Sequence, residues 1–125
     1  MKTSWFGALL LVVAFTAAAA TQSNTQQFHG HLVDLMCADG SGNDNANEEA
    51  GYAENHTRAC NLHKGCSASG YAIITSDNIV MQLDSKGNEL ALELSKSSDK
   101  EKDFRVTVTG KVSGSTVEVS TITLD

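Results

Sequence analysis

Cys37, Cys60 and Cys66, all three cysteines of the chain, fall within 30 residues together with His56 and His63, two of its four histidines. The segment starts at Cys37, passes through a Gly/Ser/Asn/Glu-rich run and ends His56-Thr57-Arg58-Ala59-Cys60-Asn61-Leu62-His63-Lys64-Gly65-Cys66. Thiols and imidazoles grouped in this way can pin a loop through a disulfide or hold a soft metal ion. A Cys37–Cys66 bridge would contribute roughly 3 to 4 kcal/mol by loop closure and leave Cys60 as a lone thiol. Bridges from Cys60 to Cys37 or to Cys66 satisfy the same arithmetic. A metal would instead take Cys37, His56, Cys60 and Cys66 as a Cys3His tetrahedron suited to zinc, or as a soft pocket suited to copper(I), with His63 and Asp34 as further ligands.

Spacing supports these ligands only locally. His56 and Cys60 are four residues apart and would share a face of one helical turn, and Cys60-x-x-His63-x-x-Cys66 has short ligand spacing. There is no Cys-x-x-Cys pair, so neither a zinc-finger pattern nor a thioredoxin-type redox motif is present. Cys60 between two histidines has the composition of a thiolate nucleophile, but no oxyanion-hole motif or third orienting residue accompanies it, and no catalytic residue is assigned. His29-Gly30-His31 places two imidazoles on one side of a strand, which more often means exposed strand histidines than a metal site. Asn55-His56-Thr57 is a glycosylation sequon where the host glycosylates exported proteins.

The elements that must position these groups begin after a processing signal. Residues 1–20 carry Lys2, an apolar stretch from Trp5 to Phe15 and small residues from Ala17 to Ala20, the pattern of a signal peptide. The expected mature protein is secreted or periplasmic and has no membrane anchor once the signal is removed. About 105 residues remain, enough for one domain with a single core. The net charge of −6 becomes about −7 once Lys2 is removed, with eight of the nine Lys and Arg left. Such an acidic surface is a poor partner for nucleic acid. Only Phe28, Tyr52, Tyr71 and Phe104 remain as aromatics, so stacking platforms are scarce. The partner expected is a protein or a small-molecule ligand, met by a monomer.

Thr21–Gln27 is polar and reads as a disordered tail preceding a domain over 28–125. The apolar run from Phe28 to Met36, interrupted by Asp34, predicts a first strand. Asp39 to Gly51 is a loop too polar to bury much, and Tyr52–Cys66 has room for a turn or two of helix capped by Asn55 or Thr57. Gly70–Thr75 and Ile79–Leu83 around Ser76-Asp77-Asn78 predict a hairpin. Asn88 reads as the cap of a helix from Glu89 to Ser97. Phe104, Val106 and Val108 alternate with polar residues in a half-buried strand. From Thr116 to Leu124 the apolar parity changes between Val119 and Ile122, which predicts a bulge near Ser120 or Thr121.

The order is strand, long loop, strand, strand, helix, strand, strand. That is mainly β with one helix (α+β), the element order of a small five-stranded OB-like barrel whose first long loop, residues 37–66, is one of the usual ligand-contacting loops.

Gly30-His31-Leu32-Val33-Asp34-Leu35-Met36-Cys37, His56-Thr57-Arg58-Ala59-Cys60, Cys66-Ser67-Ala68-Ser69-Gly70-Tyr71 and Val106-Thr107-Val108-Thr109-Gly110-Lys111-Val112 together resemble a group of small exported bacterial proteins of unknown function. That group has an OB-like β-barrel and the pattern Gly...Asp...Cys, His-Thr...Cys, Cys...Gly-Tyr. The resemblance spans most of Gly30 to Leu124. It implies Cys37, His56, Cys60 and Cys66 as the family-like positions, with His63 an addition in this chain, and it implies no activity.

Overall fold

The computed structural model describes residues 24–38 and 52–125. The expected signal peptide, the start of the expected tail and the loop expected from Asp39 to Gly51 lie outside the described residues, whereas Gln26 and Gln27, expected in the disordered tail, pair with Gly110 and Thr109. Five strands form one sheet: β1 (Gln26–Asp34), β2 (Tyr71–Ile74), β3 (Val80–Leu83), β4 (Arg105–Ser113) and β5 (Thr116–Leu124). Their hydrogen-bonded order is β1-β2-β3-β5-β4, and β4 pairs in turn with β1. The β3–β5 pair is parallel and the other pairs are antiparallel.

One strand serves two neighbours. Gln26–His31 pair with β4, whereas His31–Asp34 pair with β2. Gly30 sits where the strand passes between them, and a β-carbon there would meet the Ile74 carbonyl oxygen at 2.6 Å, a contact no side chain could accept without a shift. The bulge expected in β5 is present: Thr109 pairs with Thr121 and Gly110 with Val119, so Ser120 is the extra residue between them. The change of apolar parity along β5 follows from it.

Five helices lie among the described residues where one helix and a turn or two within Tyr52–Cys66 were expected. They are α1 (Leu35–Ala38), α2 (Tyr52–Asn55), α3 (Arg58–Leu62), α4 (Lys64–Ser69) and α5 (Ser85–Ser97). The first strand therefore stops at Asp34 rather than Met36. The reason is local: the Asp34 carboxylate accepts the Cys37 N–H at 2.9 Å and turns the chain into α1. Thr57, one of the two expected caps, starts α3 by accepting the Cys60 N–H at 3.1 Å. The long helix begins earlier than the expected Asn88 cap, because Asp84 accepts the Gly87 N–H. Asn88 then lies inside α5, and its side chain accepts the Tyr71 N–H at 2.9 Å, joining the helix to β2.

Two apolar clusters explain the uninterrupted hydrophobic runs in β1 and β2. Leu32, Tyr71, Ile73, Leu83, Phe104, Val106, Val108, Val117 and Val119 pack with Ala91 of α5. Val33, Ala72 and Ile74 point to the opposite face and are covered by Ala38 of α1, with Leu35, Tyr52, Ala53 and Val80 at the edge. Both faces of β1 near Asp34 are thus buried, and the short helices supply the second cover.

Candidate functional site

Asp34 closes β1 beneath these short helices and is fully buried. One carboxylate oxygen, Oδ1, takes the Cys37 N–H. The other, Oδ2, lies 3.0 Å from His56 Nε2, itself buried between α2 and α3. His56 Nε2 is also 3.0 Å from Asn61 Oδ1. The ring N–H is aligned with Asn61, so the Asp34 contact is an ion-pair distance without an aligned donor, and Oδ2 is a buried oxygen with no hydrogen bond of its own. Two acceptors at Nε2 assign the ring proton there, and Nδ1 lies 3.4 Å from the Tyr52 hydroxyl.

The backbone holds this group from both sides. Tyr71 Oη donates to the Asn61 carbonyl at 2.5 Å, fixing α3 against β2. The Leu35 N–H donates to the Gly70 carbonyl at 2.9 Å, and the Met36 N–H to Ser69 Oγ at 3.1 Å. Ser69 Oγ in turn donates to the Cys66 carbonyl at 2.6 Å. These bonds clasp α1 to α4 and bring Cys37 beside Cys66. One donor atom each from Asp34, Cys37 and Cys66 then lie within 4.8 Å of one another. His63, at the start of α4, places Nδ1 3.8 Å from Cys66 Sγ.

Charge and burial act together here. Burial pushes the Asp34 carboxyl up, but the interaction with His56 and the Cys37 N–H outweigh it and hold the group below its usual value. Burial pushes the Cys37 thiol up to about 11, opposed by a hydrogen bond with Tyr52 and reinforced by the Asp34 charge. Burial and then Asp34 raise Cys66 as well. Burial raises the hydroxyls of Tyr52 and Tyr71, the latter to about 12. Both cluster thiols are therefore held protonated near neutral pH unless a cation displaces the proton.

The arrangement differs from the sets expected from sequence. Cys37, Cys60 and Cys66 are all free thiols, so the expected Cys37–Cys66 disulfide is replaced by two neighbouring thiols. Of the four expected metal ligands only Cys37 and Cys66 enter the three-residue group. Asp34 joins them, because the chain turns at its own side chain and carries Cys37 back over it. Cys60 stands outside, half-buried on α3, and His56 touches the group only through Asp34.

His29 and His31 belong to other contacts. His29 Nδ1 lies 2.9 Å from Thr107 Oγ1, and His31 Nε2 lies 2.9 Å from Asp103 Oδ1. Of the sequon, Thr57 is engaged as the cap of α3. Sequence reasoning passed over Tyr52 and Asn61. Tyr52 precedes His56 by one helical turn, a usable signal, whereas Asn61 has none outside the folded pairing with His56.

No helix among the described residues is long and apolar enough to cross a membrane. No protein-family model, curated protein or solved structure matches this chain, so the reading of the site rests on its own geometry.

Proposed function

We propose that the chain is a small exported metal-binding module in which Asp34, Cys37 and Cys66 hold a transition-metal ion, zinc before copper(I). The observation that carries this reading is the convergence of a fully buried carboxylate and two thiols within 4.8 Å, on three segments clasped by backbone hydrogen bonds. A divalent ion suits the charge: two thiolates and a carboxylate sum to −3, which zinc reduces to −1 and copper(I) only to −2. The raised thiols count against nucleophilic catalysis, because a catalytic cysteine needs a depressed pKa. Metal ligation supplies the driving force for thiol deprotonation that the apo pocket lacks.

The strand order β1-β2-β3-β5-β4, with β3 and β5 parallel and α5 between β3 and β4, supports an OB-like barrel as the carrier. In that reading the site occupies the long connection between the first two strands. Export, through the signal over residues 1–20, would present the site to an extracytoplasmic metal pool.

The test is metal content and native mass of protein purified from its exported fraction under reducing conditions. About one zinc per chain is expected, lost in Cys37→Ser and in Cys66→Ser but kept in Cys60→Ser. Loss of metal in Cys60→Ser with retention in Cys66→Ser would replace this ligand set. Absence of stoichiometric metal after reconstitution with zinc would sink the function.

A further inference from the structure

Three ligands leave a tetrahedral ion one short, and the segment carries two further side chains of ligand type. Cys60 is one, half-buried on α3. His63 is the other, outside the 4.8 Å group but with Nδ1 3.8 Å from Cys66 Sγ. We infer that His63 is the fourth ligand, closing the ion on its solvent side as a Cys2AspHis structural site with no position left for substrate. This rests on the metal-binding reading above.

Three observations point to His63. Its imidazole already lies against Cys66 from the exposed rim, three residues earlier and joined to Cys66 by one turn of chain. It has no other side-chain hydrogen bond or ion pair among those described, whereas His56, the histidine of the expected Cys3His set, is spent on Asn61, Asp34 and Tyr52. Charge then separates His63 from Cys60. A third thiolate would bring the zinc complex to −2 in a partly buried pocket of an already acidic protein, whereas a neutral imidazole keeps it at −1.

The same geometry gives His56 a different place. Its Nε2 lies 3.0 Å from Asp34 Oδ2 while its N–H is directed at Asn61, so it stands behind the carboxylate and outside the ligand set. A β-carbon at Gly65 would sit in ordinary van der Waals contact with His63 Nδ1 at 3.7 Å and Met36 Cε at 3.9 Å, which places the imidazole and the thioether methyl beside the same stretch of α4.

Cobalt(II) reports both coordination number and open positions, and the whole chain in reduced form is the protein to use. In the wild type, cobalt should give the intense visible bands of a tetrahedral thiolate site, unmoved by added azide or imidazole. In His63→Ala the bands should shift on adding either, and cobalt affinity should fall by about 10-fold or more. Imidazole should restore the wild-type spectrum. Cys60→Ser should behave as wild type.

A wild-type spectrum that shifts with azide as the variant does would show an open site and overturn the inference. So would a His63→Ala spectrum identical to wild type, or loss of the closed spectrum in Cys60→Ser. Cobalt that fails to bind, or binds independently of Cys37 and Cys66, overturns the metal-binding reading itself. A far-ultraviolet circular dichroism spectrum shared by wild type and His63→Ala separates loss of a ligand from loss of the fold.

Discussion

At the residue scale, Asp34 links fold to chemistry. The same side chain ends β1, starts α1, pairs with His56 and supplies the proposed carboxylate ligand. Its acidity lies below the ordinary value of 3.8, so the folded protein holds the proton less tightly than the unfolded chain. The contribution to stability is therefore complete above about pH 4 and is lost as pH falls through the folded value. In metal-free protein, denaturant titrations between pH 6 and pH 2.5 should show stability falling on the acid side, with a shallower fall in Asp34→Asn. Equal slopes would mean that another carboxylate dominates acid unfolding. Asp34→Ala also removes the cap of α1 and the buried neighbour of His56 Nε2, and should cost about 2 to 3 kcal/mol at neutral pH.

At the scale of elements, the site is held together by helices too short to stand alone. α3 has five residues and no helical stability of its own, so it depends on tethers at both ends. Thr57 caps its start. Arg58 fastens it across the molecule: Nε donates to the Ser95 carbonyl at 2.8 Å, Nη2 to the Lys96 carbonyl at 3.1 Å, and its backbone N–H to the Glu101 carbonyl at 2.8 Å. The two side-chain bonds satisfy carbonyls in the last turn of α5, where a cation is favoured. Arg58→Ala should lower stability by about 2 to 3 kcal/mol and, by hydrogen exchange, loosen residues 58–62 more than the β4–β5 pair. Uniform loosening would mean that α3 unfolds only with the whole domain.

These tethers also mark what the sequence could show. Alternation exposed β4, the parity change exposed the bulge at Ser120, and the turn residues exposed the β2–β3 hairpin. Those signals are periodic and local. The helical turn at Leu35 was hidden because Leu35 and Met36 continue an apolar run, and only the bond from Asp34 to the Cys37 N–H breaks it. The start of α5 was misplaced because Asp84 and Asn88 are both good caps, and the choice is made by Tyr71, far along the chain. The Cys/His segment was legible as the densest run of ligand-type side chains in the chain. Its ligand grouping was not, because sequence spacing cannot show that Ser69 and Gly70 clasp α4 onto α1.

At the scale of the whole molecule, a metal among Asp34, Cys37 and Cys66 would join the end of β1, α1 and α4, which in the apo protein are clasped mainly by the hydrogen bonds through Ser69 and Gly70. An ion that binds only the folded chain stabilises it by mass action, about 2.7 kcal/mol at 100 times its dissociation constant. For a domain of this size that corresponds to a rise in Tm of roughly 10 to 20 °C. Zinc added to reduced apo protein should produce that rise, EDTA should reverse it, and Cys37→Ser should abolish it. The added protection against hydrogen exchange should be largest over Leu35–Ala38 and Lys64–Ser69 and small in the β4–β5 ladder, which is already held by paired strands and core burial. A zinc-induced Tm rise with protection centred elsewhere would place the ion at another site, since an ion bound by these three residues must first quiet the segments that carry them.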